Sequence, residues 1–175
     1  LPLPAALDPA MSAAAMAESL PDLSEGFRDA MRRVASTVNV ITICVGGEPM
    51  GITATAMSSL SLDPPSLLVC INRTASLHAS MEDVSHFSVN VLHRDQEGIA
   101  QMFADRRHLA LRFAEGWHVD CERPPRLADA QAALLCRRID HHRFGTHSIF
   151  IGQVEEAVVR GEVAPLVYLN GRYGG

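Results

Sequence analysis

The strongest constraint on the fold is a succession of strand-length apolar segments joined by connections too short to hold a helix. The β-branched run VNVITICV (38–45) stops at Gly46-Gly47, a two-residue hairpin signal, and a second strand-like segment then runs through Gly51. In the last third, AALLCRRIDHHRF, HSIFIGQVEEAVV and APLVYLNGRY are three more such segments, with turn chemistry at Gly145 and Gly161. Residues 66–72 and 86–92 complete a set of six or seven strands. Short links pair strands antiparallel, and so few helices cannot alternate as βαβ units. A doubly wound sheet is excluded, and a closed or split antiparallel barrel is expected: mostly β with α-helical additions. At 175 residues, 47% of them hydrophobic, the chain has the apolar content for one sizeable core. A single domain is expected over 21–175, preceded by a mobile arm or leftover segment over 1–20, whose prolines at 2, 4 and 9 oppose a helix.

Asp22, with Glu25 three residues on, reads as a capping box, and Phe27, Met31, Val34, Ala35 and Val38 recur at helical spacing, which predicts an amphipathic helix at the start of the domain. SLLVCIN (66–72) is continuously apolar and predicts a strand buried on both faces near mid-sheet. A short helix is expected over 76–84. In 86–92, Phe87, Val89 and Val91 alternate with Ser88 and Asn90, the pattern of a half-buried strand. A further helix begins with Asp95 as N-cap and turns Ile99, Met102 and Phe103 inward.

Several function classes fall away. A net charge of −5 offers no electrostatic footprint for nucleic acid or an anionic membrane surface, and no apolar run approaches the ~20 residues that span a bilayer. Cys44, Cys70, Cys121 and Cys136 are far apart, lack a C-x-x-C spacing and read as reduced core thiols, which suits a cytoplasmic protein. Eight histidines form no metal-binding motif, and His141-His142 would face opposite sides of a strand. There is no G-x-G-x-x-G, P-loop or G-x-S-x-G.

The densest chemistry is in residues 51–72, GITATAMSSLSLDPPSLLVCIN. Thr53, Thr55, Ser58, Ser59, Ser61 and Ser66 lie between two apolar runs. Hydroxyls and small side chains let the backbone approach a flat polar ligand and offer it N–H donors, which suits a phosphorylated aromatic cofactor; a surface loop rich in turn formers is the other reading. Arg106, Arg107, Arg112, Arg123 and Arg126 make either a solvated face or ligand-phosphate contacts.

The order FRDAMRRVASTVNVIT, GITATAMSSLSLDPPSLLVCINRTAS, HFSVNVL, GTHSIFIGQVE, PLVYLNGRY resembles the flavin reductase family with the FMN-binding split β-barrel, over about 27–173. The resemblance implies an antiparallel Greek-key barrel, usually a homodimer with flavin near the interface. It implies hydride transfer from NADH or NADPH to FMN or FAD, with reduced flavin passed to a partner monooxygenase. By the same resemblance Thr53, Ala54, Thr55, Ala56, Ser58, Ser59 and Leu60 line the isoalloxazine and ribityl chain. Cys70, Ile71, Asn72, Arg73 and Ser76 run beside the phosphate and any adenosine tail. The family's Gly-Asp-His motif stands here as Gly145-Thr146-His147, and His147 takes the place facing the nicotinamide. The threonine resembles the branches linked to pyrimidine breakdown and to reduction of cobalt corrinoids, so a corrinoid reductase with retained flavin is one alternative. A non-catalytic flavin- or haem-binding barrel is another. Hydride transfer between two stacked rings needs no protein nucleophile, so the absence of a triad agrees with the reductase reading. Trp117, Phe113 and Tyr173 are candidates for shaping the nicotinamide side, core packing being the commoner fate of such aromatics.

Overall fold

A computed structural model describes residues 22–120 and 122–174. The arm expected over 1–20 and Cys121 lie outside the described residues. The chain divides into two units, Leu1–Val34 and Ala35–Gly175. In the first, helix α1 (Leu23–Met31) begins at Asp22, whose side chain accepts from the Ser24 N–H. It buries none of its residues, and Phe27 is 65% exposed. The helical periodicity expected through Val38 stops at Met31. The chain beyond Val34, ASTVNVIT, is β-branched and loses side-chain freedom in a helix, so Val38 enters the core of the second unit instead.

The second unit is built on strands β1 (Ser36–Thr37), β2 (Asn39–Val45), β3 (Glu48–Ala54), β4 (Met57–Leu62), β5 (Pro65–Asn72), β6 (His86–Val91), β7 (Trp117–His118), β8 (Arg126–Leu127), β9 (Ala132–Phe144), β10 (His147–Val159), β11 (Val167–Leu169) and β12 (Arg172–Gly174). Helix α2 (His78–Asp83) follows β5. After β6 come a 3-10 turn (Arg94–Gln96), α3 (Glu97–Ala104) and a second 3-10 segment (Arg106–Leu111). Seven strands form one antiparallel sheet in the order β3-β2-β6-β9-β10-β5-β4. The connection between its outer strands proves that this sheet closes. Laid flat, seven strands would hold β3 and β4 roughly 29 Å apart. Yet Ala54 ends β3 and Met57 begins β4, and that span reaches at most about 11 Å. The sheet must therefore curl until its edges meet at Thr55-Ala56, where the Cys70 N–H also donates to the Ala56 carbonyl (2.9 Å).

The β2–β3 hairpin turns at Gly46 and Gly47 as expected, both at positive φ (58° and 88°). The strand-length segment expected over 164–173 is instead a small hairpin, β11–β12, turning at Asn170-Gly171, another hairpin dipeptide. Ile41, Ile43, Val69, Phe87, Val89 and Phe150 fill the barrel interior. A second core, with Val38, Val40, Leu92, Phe103 and Leu166, packs between the barrel wall and α3.

Two strand expectations are corrected. β6 is buried on both faces rather than half-buried, because 124–127 covers its outer side. Its polar residues secure that cover: Asn90 Nδ2 donates to the Val40 carbonyl (3.1 Å), Asn90 Oδ1 accepts from the Leu127 N–H (2.8 Å), and Ser88 reaches the Pro124 carbonyl (3.4 Å). β5, expected near mid-sheet, lies one strand from the edge and alternates. Leu67, Val69 and Ile71 point inward, while Leu68 and Cys70 stay half-exposed on the outer face. The cap before α3 is also different. His93, not Asp95, caps the 3-10 turn, with Gln96 completing a capping box.

Candidate functional site

The corner that closes the barrel also opens a cleft. Its walls are the β3 end and the following link (Ile52, Thr53, Ala54, Thr55, Ala56), the end of β5 and the turn after it (Cys70, Ile71, Asn72, Ala75, Ser76), Phe103 and Ala104 from α3, Arg106 and Arg112, and His147 at the start of β10. Its volume is about 340 Å³. Asn72 and His147, 75 residues apart in sequence, meet here because β5 pairs with β10 in a register that sets them opposite each other.

The cleft thus collects Thr53, Ala54, Thr55, Ala56, Cys70, Ile71, Asn72, Ser76 and His147 from the sequence expectation. Ser58, Ser59 and Leu60 lie outside it, exposed on edge strand β4. Arg73 faces an adjoining cavity of about 570 Å³ with His78, Glu82, Arg143 and Thr146. Ile52, Ala75, Phe103 and Ala104 were not anticipated. Phe113 and Trp117 pack against Phe103 at ring separations of 5.2 and 5.0 Å, and with Tyr173 they belong to the second core. Phe103 is the member of that aromatic group that reaches the cleft wall.

The arginines divide by role. Arg107 pairs with Asp105, and Arg123 pairs with Glu156 (2.5 Å). Arg106 donates to the Thr74 carbonyl (2.6 Å), joining the second 3-10 segment to the turn after β5. Arg112 is buried and donates to three carbonyls: Gly51 (2.7 Å), Asp105 (3.0 Å) and Met102 (3.2 Å). Its guanidinium therefore ties β3 to the end of α3. Burial pushes its pKa below the usual range, with Asp105 opposing the shift. Gly51 is required beside it, since a Cβ there would come within 2.7 Å of Phe103 Cε1.

Donors remain uncommitted along the cleft. Among the described residues, no protein acceptor takes the N–H groups of Thr55, Ala56 or Ser76, or the Ser76 hydroxyl. The Thr53 hydroxyl is engaged, donating to the Ala100 carbonyl (2.6 Å) and holding β3 to α3. His147 is exposed, and its Nδ1 lies 2.9 Å from the Thr146 hydroxyl. The threonine that replaces the acid of the Gly-Asp-His motif therefore contacts the ring of this histidine directly. Burial raises the Cys70 pKa, so this thiol stays protonated and is no nucleophile at neutral pH. Among the described residues there is no cluster of metal-ligating side chains. The arrangement suits a flat ligand with polar edges and an anionic tail: backbone donors on one side, small side chains at the floor, and Arg106 at the mouth.

The buried His78 in the adjoining cavity hydrogen-bonds Ser148 (2.8 Å), and its ring meets Phe150 edge-on at 5.8 Å. Burial holds its pKa below the ordinary histidine value, outweighing the opposing pull of Glu82. Glu82 is itself lowered, chiefly by its bonds from Arg143 (2.6 and 2.8 Å).

Known proteins share this architecture. The chain is 40% identical over 154 residues to the reductase component of the FADH(2)-dependent resorcinol hydroxylase of Rhizobium sp., covering 86% of each chain. It is 37% identical over 156 residues to an FMN reductase (NADH), RutF 1, of Methylorubrum extorquens, covering 89% of this chain and 78% of that one. The NADH:FAD oxidoreductase of Streptomyces globisporus, solved with NAD and FAD fragments, superposes with a TM-score of 0.81 at 29% identity, over 89% of this chain and 94% of the other. The flavin reductase like domain matches residues 31–175, and with the barrel and its corner cleft already in place, the chain belongs to that family.

Proposed function

We propose that the chain is an NAD(P)H:flavin oxidoreductase that reduces FMN or FAD in the corner cleft and supplies reduced flavin to a partner monooxygenase. The observation that carries this is the set of uncommitted donors on Thr55, Ala56 and Ser76 around a floor of small residues, in a chain of the flavin reductase family. The relatives named as reductase components of hydroxylases and monooxygenases support the partner. Bound flavin supplies the hydride acceptor and NADH or NADPH the hydride. The protein binds and orients. The Thr55 and Ala56 N–H groups meet carbonyl or nitrogen acceptors at the ring edge, where they stabilise the charge gained on reduction. Ser76, with Arg106 at the mouth, receives phosphate oxygens, and Arg73 stands in the next cavity for a longer tail. His147 borders the reductant. Ser58, Ser59 and Leu60 would join the site through a neighbouring copy. The outer face of β5 and β10 offers half-exposed Leu68, Cys70, Ile149 and Ile151 as a dimer surface continuous with the cleft.

Anaerobic stopped-flow bleaching of flavin by NADH tests the reading. His147→Ala should slow reduction about tenfold to a hundredfold while flavin affinity changes little, because the lost contact belongs to the reacting assembly. No saturable flavin binding up to ~100 μM would overturn the proposal. Light scattering should find a dimer rather than a 19.0 kDa monomer.

A further inference from the structure

Phe144 is 83% exposed, at the tip of the β9–β10 hairpin, although most phenylalanines of this chain are buried or packed on a core. Its position is specific. Phe144 is the cross-strand partner of His147, and His147 is in turn the partner of Asn72. Directly paired residues project to one face, so Asn72, His147 and Phe144 form a row across β5, β10 and β9, with neighbours about 5 Å apart. The first two line the cleft, and the third extends the row beyond its mouth.

The tip is held in place. The Arg73 N–H donates to the Thr146 carbonyl (2.9 Å), Arg73 Nη1 reaches the Gly145 carbonyl (3.4 Å), and Arg143, beside Phe144, donates through Nε and Nη2 to the two carboxylate oxygens of Glu82. Gly145, at φ 55°, takes the first position of the two-residue turn, where a primed hairpin turn needs a positive φ. An apolar ring left in water on an anchored turn, next to a histidine of the cleft, is prepared to receive another flat ring without ordering a loop.

The geometry points to Phe144 as the stacking surface for a ring of the nicotinamide dinucleotide, setting the affinity for the reductant at the outer end of the cleft. This inference rests on the reductase reading above. The flavin is held by residues further in, so Phe144 acts on the second ligand and not on the first.

Steady-state and stopped-flow kinetics of Phe144→Ala and Phe144→Trp test it, with NADH and with reduced nicotinamide mononucleotide, which lacks the adenosine. Phe144→Ala should raise KM for NADH about tenfold, leave flavin Kd within twofold and unfold at the wild-type midpoint; Phe144→Trp should restore KM. A rise with both reductants assigns the stacked ring to the nicotinamide, and a rise with NADH alone assigns it to the adenine. An unchanged KM in a variant that still bleaches flavin would overturn the inference, as would a KM rise that accompanies loss of the dimer in sedimentation. Failure of the reductase reading would be distinct, because wild-type protein would then not bleach flavin with NADH at all.

Discussion

Replacing Arg112 by methionine keeps most of the side chain's volume and removes every donor. Arg112 is 4% exposed, and its guanidinium serves the carbonyls of Gly51, Met102 and Asp105. Hydrogen bonds to a charged group contribute about 1.5–3 kcal/mol each, but burying the cation itself costs several kcal/mol, and Met102 and Asp105 are only partly buried, so their carbonyls can recover water. The Gly51 carbonyl, buried under Phe103, cannot. The balance is a loss of about 3 kcal/mol for Arg112→Met, or roughly 6–12 °C in Tm for a chain of this size. Lysine, a point charge without the fork, reaches one or two of the three carbonyls and should lose about half as much. Urea unfolding at fixed protein concentration measures both. Because the same contacts hold β3 against α3, flavin titration should show weaker binding in the order Arg, Lys, Met. A methionine variant within about 0.5 kcal/mol of wild type, or a lysine variant worse than methionine, would refute this account of the cleft wall.

Gly152→Ala places a Cβ 2.5 Å from Phe87 Cζ and 2.9 Å from Cys136 Cβ, and should destabilise by about 1–3 kcal/mol; combining it with Phe87→Leu should cost less than the sum of the two changes in a denaturation cycle. The lowered pKa of His78 means that the unfolded chain takes up this proton before the folded one does. Its contribution is therefore complete above about pH 6.5, the unfolded value, and declines as pH falls below it toward the folded value; His78→Gln should flatten the stability profile between pH 7 and 5. The Glu82–Arg143 pair should hold until the pH falls below the ordinary carboxylate range, since Glu82 is lowered. Thr146→Asp should fold normally and keep flavin reduction, because position 146 is exposed and already contacts His147.

Much of the cleft was legible in the chain. The segments 53–56 and 70–76 and His147 form recognisable motifs, and the structure gathers most of their residues at one corner. Ser58, Ser59 and Leu60 share the same motif but lie on exposed β4, since the chain passes the closing corner at Ala56 and leaves along the other edge of the sheet. Phe103 and Arg112 carry no local signal. Phe103 looks like any inward residue of an amphipathic helix, and Arg112 like any member of a basic stretch. Their roles depend on which carbonyls and strands stand nearby after folding.

Strand propensity, hairpin dipeptides and the shortness of the links are local properties, so the sequence alone determined an antiparallel β protein with few helices and hairpins at Gly46-Gly47 and Gly145. Burial is a property of what comes to lie on top. Only the tertiary structure decided that β6 has two covered faces, that β5 has one, and that Val38 belongs to a core and not to α1. The two-residue link between the sheet's outer strands forces closure, and closure is what brings Asn72, His147 and the free N–H groups of Thr55 and Ala56 around one cleft.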